Sequence, residues 1–412
     1  MKKYHIETFG CKLNQTDSER IKSNLDKEYK QSSLKEADFV VLNTCGVVEK
    51  TERKILKEIN QLKKAKKIVI LAGCLPLISE ECRSIAHGVI SPQSIDSINK
   101  VVKQALRRKH IILLKDNSIK KPAACIKGAT AIIPIAEGCL GQCTYCTARL
   151  ARKELKSFEI KDILKSVKEA LNQGVKEIQL TSQDLAVYGL DKGKQKLPEL
   201  LKEIIEIEGE FKIKLGMMNP GHAKKILKLL LKLYESNKIY KFIHLPLQTG
   251  DNNTLKKIKR NYKVEDFIRI SEAFRKKFKD SVLATDIIVG HPHENEEAFN
   301  STIKIIKGTK PDIVHIFKFS KRKNTSDYAL KDWPDRIKKQ RSRILTKLFQ
   351  DINEKRNRSM KGKSFQALII EKGGLGRTNS GRAVVLNKGK PGFSVKAKII
   401  GAKWNYLLGK VV

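Results

Sequence analysis

The segment AIIPIAEGCLGQCTYC, residues 131–146, joins an apolar run of strand length to a loop with three closely spaced cysteines. Cys139, Cys143 and Cys146 have C-x3-C-x2-C spacing. Three thiolates on one tight loop can hold three irons of a four-iron cluster and leave the fourth iron without a protein ligand. S-adenosylmethionine can chelate that iron, and an electron from the cluster can then cleave its sulfonium to a radical. The segment therefore predicts a radical centre at a strand end.

A zinc knuckle or three incidental thiols is the alternative interpretation of this loop. Structural zinc sites use four ligands, usually from paired short-spaced motifs. No second pair of cysteines lies near residues 139–146. We therefore favour the radical centre.

Strand-length apolar runs alternate with helical periodicity from residue 131 onward, which is the pattern of βα units. The strand candidates are residues 131–137, 177–182, 211–216, 241–246, 282–288 and 313–319. Six βα units in about 190 residues are too few for a closed eight-stranded barrel. The pattern predicts an open, partial (β/α)6 barrel of the TIM type, with its site at the carboxyl ends of the strands.

Residues 3–114 show the same alternation and predict a separate, open parallel α/β sheet. Three of its strand candidates lead into Cys11, Cys45 and Cys74, at spacings of 34 and 29 residues that match one βα unit each. Because parallel strands end at one edge of a sheet, we expect the three sulfurs to converge there. A second cluster with an open iron follows from this count of three thiolates.

Each of these three cysteines could instead be a small buried hydrophobic residue, which is the usual role of a free cysteine. Three equivalent positions in successive βα units favour the cluster. Cys82 and Cys125 lack such placement, and we predict that they are structural.

The C-terminal part of the chain has a different pattern. A connection over residues 115–130 precedes the central series, and a basic helical stretch over 334–360 ends it. The last fifty or so residues combine short strands with Gly-rich turns, which predicts a small OB-like β-barrel of the kind that binds RNA. From Met360 onward, Glu371 is the only acidic residue, against eleven Lys and Arg.

The overall charge also indicates a polyanionic partner. The 412 residues include 84 Lys and Arg against 44 Asp and Glu, a net charge of +40. No apolar run approaches the ~18 residues of a membrane-spanning helix, so we expect nucleic acid rather than a membrane. The N-terminus has no secretory signal pattern, and we expect a cytoplasmic protein. Thiols stay reduced in the cytoplasm, so the organised cysteines indicate metal binding or catalysis before disulfides.

Several motifs resemble those of the methylthiotransferases, a radical S-adenosylmethionine family. TFGCKLNQTDSE (8–19), LNTCGVVEKTERK (42–54) and AGCLP (72–76) resemble the three N-terminal cysteine motifs of that family. CLGQCTYC (139–146) resembles its radical motif. The resemblance continues through residues 180–189, 216–220, 244–262, 285–294 and 319–326, and the last barrel resembles the TRAM domain.

This resemblance implies three domains: an N-terminal methylthiotransferase domain with an auxiliary Fe-S cluster (1–120), a radical domain (130–355) and an RNA-binding TRAM domain (360–412). TSQDLAVYG and GMMNP are most similar to the branch that acts on threonylcarbamoyladenosine in tRNA. The branches acting on isopentenyladenosine or on a ribosomal protein are alternatives. A non-catalytic, metal-stabilised RNA-binding protein is a third.

The activity implied by the resemblance is the addition of a methylthio group to carbon 2 of threonylcarbamoyladenosine next to the anticodon. Two 4Fe-4S clusters and S-adenosylmethionine would be the cofactors. One S-adenosylmethionine would supply the methyl group for sulfur at the Cys11/Cys45/Cys74 cluster, and a second would be cleaved to the radical that removes hydrogen from that carbon. The implied partners are tRNA, an electron donor protein and a sulfur source.

The resemblance and the strand-end positions also suggest binding residues, although each could be an ordinary polar surface residue. No catalytic residue beyond the two clusters is implied, because the cofactors carry the difficult steps. Candidate contacts to S-adenosylmethionine are Tyr145, Gln183, Gln248, Arg260 and Asp286. Candidates for substrate contact or for support of the clusters are Asn14, Asp17 and Arg322. Candidate RNA phosphate contacts are Lys363, Arg377, Arg382, Lys396 and Lys403, with Phe393 or Trp404 as stacking faces.

Four positions depart from the family pattern. Lys214 stands where Arg is usual, which removes a planar bidentate donor. His291 and His293 replace Phe and Gly, and Asn324 replaces Gly. These changes either alter substrate fit or are tolerated in loops, and the sequence does not decide between the two.

Overall fold

A computed structural model describes residues 1–47, 49–115 and 121–412. Its strands are β1 (Lys3–Thr8), β2 (Lys30–Gln31), β3 (Phe39–Thr44), β4 (Ile68–Gly73), β5 (Gly88–Ile90), β6 (Ile111–Leu113), β7 (Cys125–Lys127), β8 (Thr130–Pro134), β9 (Ala136–Glu137), β10 (Lys156–Ser157), β11 (Glu177–Thr181), β12 (Lys212–Leu215), β13 (Phe242–His244), β14 (Val282–Val289), β15 (Ile313–Lys318), β16 (Ser364–Ile369), β17 (Leu375–Thr378), β18 (Ala383–Leu386), β19 (Ser394–Ala402) and β20 (Leu407–Val411).

Its α-helices are α1 (Lys12–Leu25), α2 (Glu49–Lys64), α3 (Glu80–Ile85), α4 (Ile98–Leu106), α5 (Thr147–Arg152), α6 (Ile160–Asn172), α7 (Leu197–Glu206), α8 (Pro220–Leu233), α9 (Asn252–Lys257), α10 (Val264–Lys277), α11 (Glu296–Thr309) and α12 (Asp335–Arg358). Among the described residues, no helix is both long and apolar enough to cross a lipid bilayer.

The chain forms two compact units, each assembled from separate stretches. Unit 1 comprises Met1–Cys125, Glu137–Phe158 and Ser320–Ala329. Unit 2 comprises Ile126–Ala136, Glu159–Phe319 and Leu330–Val412. The loop of Cys139, Cys143 and Cys146 therefore belongs to the same unit as the N-terminal sheet. The three-domain division at 1–120, 130–355 and 360–412 stays a prediction.

Unit 1 is built on a six-stranded sheet of order β2-β1-β3-β4-β5-β6, and its paired strands run parallel. Every residue of β3 is buried, because helices cover both faces of the sheet. Val41 packs with residues of α1 and α4 on one face, and Val40 packs with residues of α2 on the other. The predicted N-terminal open parallel α/β fold is confirmed.

The cysteine loop of unit 1 continues into α5, which begins directly after Cys146. A close backbone approach fixes the entry to this loop. Gly138 has φ +79°, and a Cβ at that position would lie 1.8 Å from the carbonyl oxygen of Glu154. Only glycine fits such an approach. Lys153 caps the end of α5, and its φ of 48° and ψ of −125° are rare for a residue with a side chain.

Unit 2 contains the central barrel strands. They lie in two sheets, of order β12-β11-β8-β7 and β13-β14-β15. Isolated parallel bridges, Ile213 to Ile239 and Met217 to His244, join the β12 region to the β13 region. The six predicted strands are all present as β8, β11, β12, β13, β14 and β15, and the partial (β/α)6 barrel is confirmed. Strand β7 lies within residues 115–130, which the sequence assigned to a connection.

The C-terminal strands of unit 2 form a closed barrel of order β16-β17-β18-β20-β19, which confirms the predicted small β-barrel. Strands β17 and β18 are joined by a turn in which Gly381 has φ +83°. Helix α12 occupies the predicted basic stretch before the barrel.

Candidate active site

The first three cysteines lie at the carboxyl ends of three neighbouring parallel strands of unit 1. Cys45 and Cys74 directly follow β3 and β4, and Cys11 lies three residues after β1 and caps the start of α1. The amide of Cys74 donates to the carbonyl of Thr44 at 2.8 Å. A Cβ at Gly10 would lie 2.7 Å from the Cβ of Cys45. The strands therefore bring the three cysteines together, as the strand-end argument predicts.

Asn14 lies beside two of these thiols. Its Oδ1 is 3.7 Å from the Sγ of Cys11 and 3.9 Å from the Sγ of Cys74. Its Nδ2 donates to the carbonyls of Phe9 and Thr44, at 3.0 and 2.9 Å. The fully buried amide thus holds the ends of β1 and β3 at the positions from which the cysteines project.

A buried guanidinium from α5 reaches the same place. Arg152 donates from Nη2 to Asn14 Oδ1 at 3.2 Å and forms a hydrogen-bonded ion pair with Asp17. Its Nη1 lies 3.6 Å from Glu137 Oε1. Arg152 lies six residues after Cys146 in the chain. One side chain therefore connects the helix that follows the cysteine loop to the asparagine beside Cys11 and Cys74.

The surroundings of Cys74 hold its thiol in the protonated form. Burial raises the pKa of Cys74 to about 11, while the nearby charge of Arg152 acts in the opposite direction. Burial also raises the pKa of Cys45. Iron binds thiolate, so binding of a cluster has to release these protons, and a buried positive charge favours that step.

The second cysteine set lies on one short loop. The amide of Gly141 donates to the Sγ of Cys139 at 3.2 Å. A Cβ at Gly141 would lie 3.3 Å from that sulfur and 3.7 Å from the Sγ of Cys143. The amide of Cys146 donates to the carbonyl of Cys143 at 3.2 Å. The sulfurs of Cys139 and Cys143 therefore lie close to the backbone of Gly141, where a side chain would crowd them.

The stretch Ser320–Ala329 anchors this loop and the start of α2. Thr144 Oγ1 donates to Asp327 Oδ2 at 2.6 Å. Arg322 is buried and forms an ion pair with Glu52 at 2.6 Å, and its charge tends to lower the pKa of Cys45. Arg322 therefore lies in the electrostatic environment of the first cysteine set.

The residues present fit two clusters with three protein ligands each. Each set supplies three thiols, which is the donor type that iron–sulfur clusters require. Within the described residues, two buried guanidinium nitrogens, Arg152 Nη1 and Arg322 Nε, have no hydrogen-bond partner. Both guanidinium groups form ion pairs, with Glu137 and Glu52 respectively. Their positive charges act on Cys74 and Cys45 and suit an anionic group such as a thiolate-bound cluster.

Three predicted S-adenosylmethionine contacts lie together in unit 2. The amide of Gln248, at φ 67°, donates to the carbonyl of Asp286 at 2.7 Å. Arg260 donates to the carbonyl of Pro246 at 3.3 Å and lies over the ring of Tyr262. Gln183 follows β11 in the other sheet, and its Oε1 is buried without a hydrogen-bond partner among the described residues. Tyr145 is half-buried on the cysteine loop of unit 1.

Comparison with known proteins identifies the family. The Radical SAM superfamily matches residues 133–306, the TRAM domain matches residues 359–412, and a family described as uncharacterized protein family UPF0004 matches residues 3–88. A probable threonylcarbamoyladenosine tRNA methylthiotransferase of Archaeoglobus fulgidus is 44% identical, over 98% of both chains. The chain belongs to the threonylcarbamoyladenosine tRNA methylthiotransferase family.

Further relatives are similar to this chain over nearly their full length. A Pyrococcus horikoshii protein with the same description is 39% identical over the whole of both chains. A tRNA-2-methylthio-N(6)-dimethylallyladenosine synthase of Caldicellulosiruptor saccharolyticus is 30% identical, over 100% of this chain and 93% of that protein.

Solved structures show the same fold at low sequence identity. The radical S-adenosylmethionine methyltransferase TsrM from Kitasatospora setae superposes with a TM-score of 0.58 at 12% identity, over 80% of this chain and 75% of that one. The cobalamin-dependent S-adenosylmethionine radical enzyme OxsB superposes with a TM-score of 0.53 at 11% identity, over 80% of this chain and 55% of that one.

The residues predicted as RNA phosphate contacts differ in their exposure to solvent. Lys363, Lys396 and Lys403 are exposed on the final barrel. Arg382 is buried and paired with Asp312 at 2.6 Å, and Arg377 is paired with buried Glu177 at 3.1 Å. Both guanidinium groups therefore have carboxylate partners inside unit 2.

The two aromatic candidates on the same barrel also differ in exposure. Phe393 is 62% exposed, so its ring is accessible for stacking. Trp404 is half-buried and packs edge-on against Phe349, with 5.5 Å between the ring centroids. An RNA base would have to compete with this packing.

The departures from the family pattern have local structural explanations. Asn324 has φ 66°, a conformation that asparagine adopts more readily than most residues, so it can replace glycine there. His291 is buried, with its ring 4.7 Å from that of Phe319, and its carbonyl accepts from Trp333 Nε1. The amide of His293 donates to His291 Nδ1. Lys214 lies with its ammonium 4.4 Å from the ring centroid of Phe242.

Sequence reasoning missed Arg152, Glu52 and the pair His244 and His315. Arg152 carried one signal, because it ends the short helix that begins at the last cysteine of the loop. Glu52 lies within the quoted motif LNTCGVVEKTERK but gave no sign of its ion pair with Arg322. His244 and His315 lie on strands whose alternation could have placed them on one face.

Proposed function

We propose that the chain is a tRNA methylthiotransferase that adds a methylthio group to carbon 2 of N6-threonylcarbamoyladenosine next to the anticodon. The observation that carries this proposal is the presence of both cysteine triplets in unit 1. Arg152, on the helix that follows the second triplet, contacts Asn14 and Asp17 beside the first. Full-length similarity to relatives with that described activity supports it, and 44% identity to one of them exceeds the 30% to the dimethylallyladenosine synthase.

Cys11, Cys45 and Cys74 would hold one 4Fe-4S cluster, and Cys139, Cys143 and Cys146 would hold the other. When bound, the two clusters and S-adenosylmethionine supply electron-transfer, hydrogen-abstraction and sulfur-transfer chemistry that protein side chains cannot provide. Asn14, Asp17 and Arg152 would fix the first set of thiols, and the positive charge would offset the negative charge of thiolate ligands.

Tyr145, Gln183, Gln248, Arg260 and Asp286 are the proposed contacts to S-adenosylmethionine. Gln248 and Asp286 suit this role because the backbone hydrogen bond between them fixes the loop after β13 against β14. The buried, unpaired Oε1 of Gln183 can accept a hydrogen bond from a ligand amine or hydroxyl.

The proposed RNA contacts are Lys363, Lys396 and Lys403 with Phe393 as a stacking face. Arg377 and Arg382 would contribute to phosphate binding only if they left Glu177 and Asp312. A base beside an anticodon is already in a loop, so it can be splayed into a pocket at little cost. An electron donor protein and a sulfur source are required partners, and we propose the cytoplasm as the location.

The test is anaerobic reconstitution with iron and sulfide, incubation with tRNA and S-adenosylmethionine, and mass analysis of the digested nucleosides. The proposal predicts a methylthio product of threonylcarbamoyladenosine. A product of isopentenyladenosine, or modification of a ribosomal protein, would assign the chain to another branch. Absence of S-adenosylmethionine cleavage under reducing conditions would favour a non-catalytic RNA-binding protein.

Cysteine variants make the test specific to each cluster. Replacing Cys11, Cys45 and Cys74 by Ala should abolish methylthio transfer and retain S-adenosylmethionine cleavage. Replacing Cys139, Cys143 and Cys146 should abolish both. Cys82→Ala is the matched control, because Cys82 is fully buried in the apolar core of unit 1. This substitution should leave the iron content unchanged.

A further inference from the structure

The inner face of the central barrel carries a polar layer above an apolar one. Tyr240, Phe242, Val282 and Ala284 form a buried cluster, and Ile313 packs against it. Side chains two residues apart on a strand point to the same face. His244, Asp286 and His315 therefore lie one layer further toward the carboxyl ends of β13, β14 and β15.

The polar groups of this layer are close together. His244 Nε2 is 3.0 Å from Asp286 Oδ1, and the rings of His244 and His315 are 5.8 Å apart. Asp286 accepts the proton of Nε2, which leaves Nδ1 of a neutral His244 as an acceptor. Lys214 on β12 projects its ammonium over the ring of Phe242. Desolvation lowers the pKa of His315, Asp286 acts in the opposite direction, and the charges of His244 and Lys214 add to the lowering.

An exposed aromatic ring continues the same face. Phe317 follows His315 by two residues on β15, so alternation places it beyond His315 on the inner side. It is 44% exposed, whereas Ile313, the other apolar residue on this face of β15, packs against the core. An exposed phenyl ring next to cationic and imidazole groups is the combination that binds a purine base with a polar substituent.

We propose that this layer binds the modified nucleoside itself, with Phe317 stacking on the adenine and Lys214, His244 and His315 contacting the carboxylate and hydroxyl of its threonylcarbamoyl group. This inference rests on the proposed function and goes further, because it assigns the recognition of the N6 substituent to named residues. Asp286 then acts on this site through His244, whose tautomer it fixes.

Two other ligands share part of this chemistry. Two imidazoles and a carboxylate could coordinate a divalent cation, since their ligand atoms lie within 4.8 Å of one another. The positive charge of the Lys214 ammonium would repel a metal cation bound to these residues. A metal site would also leave Phe317 without a role. The carboxylate of S-adenosylmethionine could also pair with Lys214. The experiment separates these sources.

The test compares reconstituted wild-type protein with Lys214→Met, His315→Asn and Phe317→Ser. The probes are two anticodon stem-loop RNAs that differ only in carrying threonylcarbamoyladenosine or adenosine. Binding is measured by fluorescence anisotropy, and methylthio transfer by mass spectrometry. Lys318→Met is the matched control, because it removes an exposed lysine from the opposite face of β15.

Lys214→Met should weaken binding of the modified RNA by about 10- to 100-fold and leave binding of the unmodified RNA unchanged, since a charged hydrogen bond is lost. His315→Asn should have a smaller effect of the same kind. Phe317→Ser should weaken binding of both RNAs equally, because stacking on the adenine does not depend on the threonylcarbamoyl group. Affinity for S-adenosylmethionine should be unchanged in all of them.

Three results would overturn the inference while leaving the proposed function intact. One is unchanged discrimination between the two RNAs in Lys214→Met. A second is a parallel loss of S-adenosylmethionine affinity, which would assign the layer to the cofactor. The third is tight binding of Co²⁺ with tetrahedral absorption bands that disappear in His315→Asn. Failure of the wild-type protein to modify the RNA would instead refute the proposed function.

Discussion

Arg152 and Asp17 form an ion pair in the interior of unit 1, with side chains that are only 1% and 2% exposed. The same guanidinium contacts Asn14, whose Oδ1 lies beside the thiols of Cys11 and Cys74. Burying two charges costs desolvation free energy, which their mutual attraction offsets. When one member of the pair is removed, the other remains as an uncompensated buried charge. We infer that its position beside the cysteines is the reason for its presence.

Replacing Arg152 by Met should lower the free energy of unfolding by about 3–5 kcal/mol, because Asp17 would remain buried without its partner. Iron retained after reconstitution should also fall, from about eight per chain toward four, as expected for loss of one 4Fe-4S cluster. Denaturant unfolding and iron analysis measure these effects. The control is Arg149→Met, an exposed arginine on the same helix. Equal stability of the two variants would contradict the prediction, and adding Asp17→Asn should recover part of the loss.

Asn14→Asp should impair loading of the N-terminal cysteine set more than it impairs folding. The substitution removes the two donors to Phe9 and Thr44 and places a negative charge beside thiolate ligands. Ser23→Asp adds the same charge on an exposed part of α1 and should leave loading intact. Iron and sulfide analysis, with the charge-transfer absorption of the clusters, distinguishes them. Full loading of Asn14→Asp would refute the role given to this amide.

Asp312 is predicted to be the main electrostatic support of the final barrel. It is buried and paired with Arg275, Arg356 and Arg382, which belong to α10, α12 and the turn before β18. Asp312→Asn should cost about 3–5 kcal/mol, since three guanidinium groups lose their shared partner. Asp351→Asn, an exposed i,i+4 pair with Lys347, should cost less than about 0.5 kcal/mol. Thermal and urea unfolding provide the measurement.

The pH dependence of this support follows from the pKa of Asp312. Burial alone would raise that pKa, but Arg382 and Arg356 outweigh it, so the folded-state pKa lies below its ordinary value. The stabilisation is therefore complete above the unfolded-state pKa of about 4 and is lost as the pH falls through the folded-state value. The stability difference between wild type and Asp312→Asn should shrink at acidic pH. A constant difference from pH 7 downward would contradict this assignment.

Neutralising Lys363, Lys396 and Lys403 together should weaken tRNA binding and reduce its salt dependence. Loss of three phosphate contacts should lower the slope of log affinity against log salt by about 2 to 3. A control triple of Lys165, Lys339 and Lys347, exposed lysines on helices, should keep the wild-type slope. Fluorescence anisotropy at several salt concentrations gives the slopes. If both triples behave alike, the final barrel is not the RNA surface.

Much of the fold could be predicted from the sequence because its strands are short, continuous apolar runs between helical patterns. Five of the six barrel strands fall within one or two residues of the predicted ranges, and β8 ends three residues before the predicted end. The convergence of Cys11, Cys45 and Cys74 also follows from sequence, since strand-end position and parallel pairing suffice to place them on one edge.

The partners of individual charged residues could not be predicted in this way. Arg382 was expected on an RNA-binding surface, but its carboxylate partner lies 70 residues earlier in the chain, at Asp312. The role of Arg152 depends equally on tertiary contact, because Asp17 is 135 residues away. Residue type and local spacing indicate where a strand or helix forms, whereas burial and pairing of a long side chain depend on which elements meet.

The composition of unit 1 from three stretches has a consequence for biogenesis. Arg322 and Asp327, which contact Glu52 and Thr144, are synthesised long after the cysteines that they adjoin. A nascent chain on the ribosome therefore exposes all six thiols before their surroundings can close. We expect the complete surroundings of the cysteines to form only after Ala329 has emerged from the ribosome.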